Sequence, residues 1–181
     1  MTNILLAVAA DCTGTRRCLK GKAATSIHYI VDHMEKTYKF DKVRILTDVV
    51  LSKKGKTLTA KGLLELLKYY IGKLKPGDNL VFIFAGHGAE GSGCWGTIDG
   101  VETLDAVHGI VASDLEMISS EELTALLEGL DPSCSVTIIT EACHSSGLIT
   151  GLKHQLDGNM SPPYTYEDAS TGWQHVSSIY L

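Results

Sequence analysis

The chain contains no Cys-x-x-Cys pair, no internal repeat and no low-complexity tract. Its five cysteines (Cys12, Cys18, Cys94, Cys134, Cys143) form an odd set without metal-ligand spacing, poor material for a disulfide framework or a zinc site. Proline is scarce at 4 of 181 residues, and the 18 glycines are not periodic, so collagen-like and linker-like chains are excluded. There is no cationic excess: 16 Lys and Arg against 21 Asp and Glu leave a net charge of −5. That balance argues against a nucleic-acid partner and fits cationic substrates better than anionic ones. No apolar run is long enough to span a membrane. The run Ile4–Ala10 lacks a basic segment before it and meets Asp11 at once, so it reads as a first strand rather than a signal peptide. These absences lead to the expectation of a soluble protein in a reducing compartment, the cytoplasm.

What is present is the composition of a folded domain, with 44% apolar and 20% charged residues. The length predicts one domain over 1–181, burying roughly 70% of the surface the unfolded chain exposes. Strand-like runs alternate with helical patterns. Ile4–Ala10 is continuously apolar, as in a strand buried on both faces. Ile27, Ile30, Val31 and Met34 recur at helical spacing between about Ala23 and Tyr38. Val43–Thr47 is a second strand, and Thr59 caps a helix running to about Leu74. After the turn Pro76-Gly77-Asp78, Asn79–Ala85 is a third buried strand. The Gly-rich stretch Gly86–Gly100 reads as loop. Ser119 or Ser120 with Glu122 opens a third helix in capping-box style, and Ser135–Thr140 is a fourth strand. Residues 144–173 read as a long loop, and His175–Leu181 as a last strand that leaves a sheet edge open. This order predicts an α/β fold, a mostly parallel sheet with helices on both faces. Ligands bind such sheets beyond the carboxyl ends of the strands.

Two segments stand at those ends. Ala85-Gly86-His87-Gly88 follows the third strand and Glu141-Ala142-Cys143-His144-Ser145-Ser146-Gly147 follows the fourth. An imidazole beside a thiol can take its proton and later protonate a leaving amine. Glycines around His87 allow a substrate backbone to approach, and the N–H groups of Gly88 and Cys143 suit an oxyanion. The other cysteines read as small core residues, and His28, His33, His108, His154 and His175 as loop residues. His144 is set aside as the base because adjacent side chains of an extended segment point in opposite directions.

The strings VFIFAGHG and TIITEACHSSG resemble the core of the metacaspases, caspase-like cysteine peptidases whose motifs are a strand ending in S-G-H-G and one ending in D-x-C-H-S-G. The likeness runs from Ile4 to about Gly147 and includes Leu19, Val43–Asp48, Pro76-Gly77-Asp78 and Val111–Asp114. The separation of 56 residues between His87 and Cys143 is near the ~50 of caspases. The resemblance implies a caspase-like three-layer sandwich, a His87–Cys143 dyad, an oxyanion site at Gly88, and peptide-bond hydrolysis through a thioester.

It also implies a substrate pocket. The family places an acid two residues before the nucleophile, where this chain has Glu141, so cleavage after Arg or Lys is expected. The family's second pocket acid ends a C-x-N-D motif; here Cys18-Leu19-Lys20-Gly21 puts glycine in its place. Many metacaspases bind calcium through four acids. Asp114 and Glu121 align with two of them, but Ser120 and Thr150 replace the others, so weak calcium binding or none is expected, with no cofactor required. Self-cleavage in the loop after the nucleophile would use Lys153, the sole Lys or Arg between His144 and Leu181. The chain reads as the catalytic part of the fold, with a second chain or a reduced architecture completing the sheet and pocket. The partners expected are peptides or proteins, not nucleic acid or membrane. Two other classes compete: a caspase-like scaffold that binds without cutting, and a flavodoxin-like domain. The second is disfavoured because Asp11-Cys12-Thr13-Gly14 offers no phosphate loop.

Overall fold

The computed structural model describes residues 1–92, 97–98, 101–102, 106–142, 148–149, 154–156 and 176–180. Strands β1 (Asn3–Ala10), β2 (Lys42–Thr47), β3 (Asn79–Ser92), β4 (Thr97–Ile98), β5 (Val101–Glu102), β6 (Ala106–Val111), β7 (Met117–Ser119), β8 (Ser135–Glu141), β9 (His154–Leu156) and β10 (Val176–Tyr180) alternate with helices. These are α1 (Lys22–Thr37), α2 (Asp48–Lys53), α3 (Ala60–Ile71) and α4 (Ser120–Leu127). The main sheet runs β2-β1-β3-β8-β10-β9, every neighbouring pair parallel.

Strand alternation sorts the core into two faces. Ile4, Leu6, Val8, Phe82 and Phe84 pack with Leu63 and Leu67 of α3 and Leu123 and Leu127 of α4. Leu5, Ala7, Ala9, Ile83 and Ala85 pack on the other side with Ala23, Ile27 and Val31 of α1. Being covered on both sides is why β1 and the first half of β3 are apolar at nearly every position. The result is the three-layer α/β arrangement expected. Helix starts follow their caps: the Thr59 hydroxyl accepts from Gly62 N–H at 3.0 Å, and Ser119 with Glu122 forms a capping box.

Several readings of the sequence change. The stretch from Gly86 is not loop: β3 continues through His87 to Ser92, leaving the parallel sheet to pair antiparallel with β6, which pairs with β7. Glycine permits this because the strand must pass very close to its neighbours. A Cβ on Gly86 would lie 2.9 Å from the Phe84 ring and 3.0 Å from the Ala10 carbonyl oxygen. Within the expected loop 144–173 the structure places β9, which pairs with β10. The open edge is therefore not at β10, which lies between β8 and β9. His28 and His33 lie on α1, His108 on β6 and His154 on β9, not on loops. Helix α3 stops at Ile71 rather than Leu74, and α2 went unforeseen.

At the carboxyl end of β1 two buried carboxylates organise the backbone. Asp11 Oδ1 and Oδ2 accept from Ala23 N–H (3.1 Å) and Ala24 N–H (2.9 Å), satisfying the first turn of α1 from outside the helix. Asp48 accepts from Asp11 N–H (3.0 Å), Thr13 N–H (2.9 Å) and the Ser113 hydroxyl (2.7 Å), so it joins the loop after β1 to the β6–β7 turn. Losing this acceptor strands buried donors, each worth about 1–3 kcal/mol. Asp48→Ala is expected to lower the urea unfolding free energy by about 3 kcal/mol or more with an unchanged slope. A loss below about 1 kcal/mol would contradict this role.

Candidate active site

His87 sits where β3 departs from the parallel sheet, opposite Val111 of β6. Its Nε2 lies 2.7 Å from the backbone carbonyl oxygen of Arg17. A carbonyl only accepts, so Nε2 carries the proton and Nδ1 is left as the basic nitrogen. The loop that offers this carbonyl is tied to itself. Cys12 O accepts from Thr15 N–H (3.1 Å) and from the Thr15 hydroxyl (2.7 Å), which in turn accepts from Arg17 N–H (3.1 Å). Leu19 N–H returns to Asp11 O at 2.7 Å. Cys12 and Lys20, at φ of 53° and 57°, stand near the two ends of this loop in the left-handed region, where side chains are strained.

Gly88 follows in β3, opposite Ile110. Glu141 ends β8 and is the register partner of Ala85, two residues before His87. Its Oε1 accepts from the Ser26 hydroxyl of α1 at 3.0 Å, while Oε2 is buried without a partner among the described residues. Cys143, two positions beyond Glu141 in the chain, lies outside the described residues, as do His144, Thr150, Lys153, Cys94 and His175. Gly21, which stands in the place of the family's second pocket acid, is the N-cap residue of α1 at φ 82°. Open space surrounds the position where its Cβ would be.

Of the remaining cysteines, Cys12 is sealed, its thiol 3.7 Å from the Ala112 carbonyl oxygen. Burial, followed by the charge of Asp48, pushes that thiol up to about 11, which leaves it protonated and unreactive at neutral pH. Cys134 is also buried, as expected of a core cysteine, and donates to the Lys75 carbonyl at 3.1 Å, whereas Cys18 is half-buried.

Two of the acids considered for calcium, Asp114 and Glu121, lie among the described residues. Asp114 turns both oxygens to Ala60 N–H at 3.2 Å, at the start of α3, and also takes Glu116 N–H at 3.3 Å. Glu121 is exposed in the first turn of α4. Among the described residues no group of three or more His, Cys, Asp or Glu is gathered as a metal would need. No helix among them is long and apolar enough to cross a membrane.

The sequence matches the family described as metacaspase, peptidase C14 domain, over residues 6–151. The chain belongs to the metacaspase family. The matched stretch contains His87, Glu141 and Cys143 and stops before Lys153. Metacaspase-4 of Arabidopsis thaliana is 25% identical over 94% of this chain and 40% of its own length. Metacaspase-8 of the same plant is 26% identical over 90% and 42%. Metacaspase-1 of Meyerozyma guilliermondii is 27% identical over 74% and 33%. The chain thus spans well under half the length of these curated relatives. A crystal structure of a protein from Geobacter sulfurreducens superimposes with a TM-score of 0.55 at 16% identity, covering 79% of this metacaspase chain and 51% of the other, a likeness of fold.

Two contacts at this site escaped the sequence reading, the Arg17 carbonyl on His87 and the Ser26 hydroxyl on Glu141. Neither has a local signal, because each joins residues 70 or more positions apart. The first is open to direct measurement. Nitrogen-15 NMR of the His87 ring at neutral pH is expected to show the Nε2–H tautomer. A ring protonated at Nδ1 alone would contradict the Arg17 contact.

Proposed function

We propose that this metacaspase domain is a cysteine endopeptidase in which His87 and Cys143 act as a dyad and which cuts after Arg or Lys. The observation that supports the reading is the His87 ring, held at Nε2 by a backbone carbonyl, which leaves Nδ1 as the nitrogen able to act as a base. Nδ1 takes the proton of the Cys143 thiol, and the thiolate adds to the scissile carbonyl carbon. The N–H groups of Gly88 and Cys143 receive the oxyanion. The imidazolium then gives its proton to the leaving amine, and a thioester remains. Water, deprotonated by the same ring, releases the acid and restores the thiol. Peptides or proteins are the substrates.

Glu141 supports the basic preference. One of its oxygens is steadied by Ser26 and the other lacks a partner among the described residues, so a guanidinium or ammonium supplies what the carboxylate lacks. With Gly21 in place of the second acid, Glu141 carries this selectivity alone. Calcium is not required in this reading, since Asp114 is committed to backbone amides. The remaining candidate, Lys153, would be the self-cleavage point.

Turnover of peptides ending in Arg, Lys or Asp, with and without calcium, tests the reading. Cys143→Ala is expected to abolish activity and His87→Ala to cost nearly as much, because the two act as a unit. Glu141→Gln is expected to raise the barrier for basic substrates by about 1.5–3 kcal/mol while sparing others. Calcium is expected to change little, and a new end after Lys153 to be absent from Cys143→Ala. Full turnover in either dyad variant, or best cleavage after Asp, would refute the dyad or the pocket respectively. A protein that binds peptides without cutting them would leave the scaffold reading.

A further inference from the structure

Charge is segregated along this chain. Residues 39–75, which include β2, α2 and α3, hold 10 of the 16 Lys and Arg but only 3 of the 21 Asp and Glu, whereas residues 76–181 hold 1 and 15. One of those three acids, Asp48, is buried. All ten cations are exposed, and among the described residues none is in an ion pair; the pairs present are Lys36 with Asp32 and the N-terminus with Asp78. We propose that the face formed by α3 and α4 binds a second copy of this chain, in a two-fold dimer where the cationic α3 of each copy lies over the acidic α4 of the other. The inference goes beyond the peptidase reading and does not depend on it.

The face is built from two helices on one side of the sheet. Leu63 and Leu67 of α3 and Leu123 and Leu127 of α4 enter the same core. Helical spacing then turns Lys61, Glu65 and Lys68 outward on α3, and Glu121, Ala125 and Glu128 outward on α4, all of them exposed. Between the last turns of the helices lies an open groove of about 500 Å³, whose walls include Lys68, Ile71 and Leu74 on one side and Ala125, Leu126 and Glu128 on the other. Ile71, Leu74 and Leu126 are only partly buried. Tyr69 is exposed on α3, with Lys73 Nζ 5.8 Å from its ring. An apolar centre with an aromatic beside it and a charged rim is the anatomy of a protein interface.

Symmetry and charge select the partner. Both helices end at the groove, so they cross the face in the same direction. A half-turn about an axis along the groove therefore lays α3 of one copy over α4 of the other. Lys68 and Ala125 both border the groove, so Lys68 falls between Glu121 and Glu128 of the second copy, each about one helical turn from Ala125. The same contact occurs twice. Glu65 is the acid out of place on α3; Lys61 and Lys68 flank it, so the stripe keeps a positive sign. A half-turn about the perpendicular axis would set α3 on α3 and α4 on α4, which like charges oppose. Leu74 leads into β3 at Asn79, and Leu130, also on the groove, leads into β8 at Ser135. The groove thus lies toward the amino ends of these strands, away from His87 and Glu141, and pairing leaves both uncovered.

Sedimentation equilibrium of the full chain at up to about 0.5 mM tests this, a range that reaches weak interfaces. The wild type is expected to form dimers whose dissociation constant rises roughly ten-fold between about 0.05 M and about 0.5 M salt. Lys68→Glu, and separately Glu121→Lys with Glu128→Lys, are each expected to be monomeric. An equal mixture of the two proteins is expected to pair again, since each reversed helix then meets its opposite. Glu65→Gln, a neutral change at an exposed site, is expected to tighten the dimer, and weakening would overturn the proposal. A chain monomeric throughout would overturn it, including one that binds RNA or an acidic polymer through the same lysines. So would a dimer indifferent to salt, a mixture of folded variants that does not pair, or assemblies larger than two chains.

Discussion

The carboxylate of Asp48 is buried at the carboxyl end of β2, and three donors converge on it: Asp11 N–H, Thr13 N–H and the Ser113 hydroxyl. Such a charge is tolerated inside a protein when every contact is a hydrogen bond, and removing it exposes donors that nothing else can satisfy. Asp48 secures the entry of the loop after β1 while Asp11 secures the start of α1 behind it. Between these anchors the loop folds so that the Arg17 carbonyl reaches the His87 ring. The orientation of one imidazole, on β3, therefore depends on polar contacts made at the ends of β1 and β2.

The same loop supplies more than support. Its backbone sets the tautomer of His87, and its arginine side chains line a depression beside that ring. The β6–β7 turn closes the other wall with Leu115, and Ser113 in that turn is bound to Asp48. One network therefore connects the His87 ring with both walls of the depression next to it. Such coupling favours a pre-set geometry, which in the proposed function would need little reorganisation when a substrate arrives. Around Glu141 the arrangement is simpler: α1 lends Ser26 to Glu141, and the first turn of α1 is itself satisfied by Asp11.

The parallel core was legible because burial on both faces leaves a continuous apolar signature, as in Ile4–Ala10, and because Ser119 with Glu122 and Thr59 mark helix starts locally. What local rules obscured was the second half of β3. Glycines at 86, 88 and 91 suggest a loop, whereas they allow a strand to bend and run close to its neighbours, as Gly86 does against Phe84 and Ala10. His87 was singled out from its place after an apolar run, but its hydrogen-bond partner was not foreseen, since a backbone carbonyl is the same at every residue. The type of the Asp114 carboxylate is visible in sequence, whereas its hydrogen bonds to the Ala60 and Glu116 amides are not. Gly21 departs from the family pattern and caps α1 with a positive φ, a conformation glycine adopts without cost.

In the proposed function His87 makes Cys143 reactive, in contrast to Cys12, whose thiol is pushed by burial up to about 11. Peptide mapping by mass spectrometry after brief treatment at neutral pH with a peptidyl acyloxymethyl ketone measures this directly. The account predicts modification of Cys143 alone, lost in His87→Ala. Equal labelling of Cys143 in the presence and absence of the imidazole, or labelling that falls instead on Cys12 or Cys18, would contradict it.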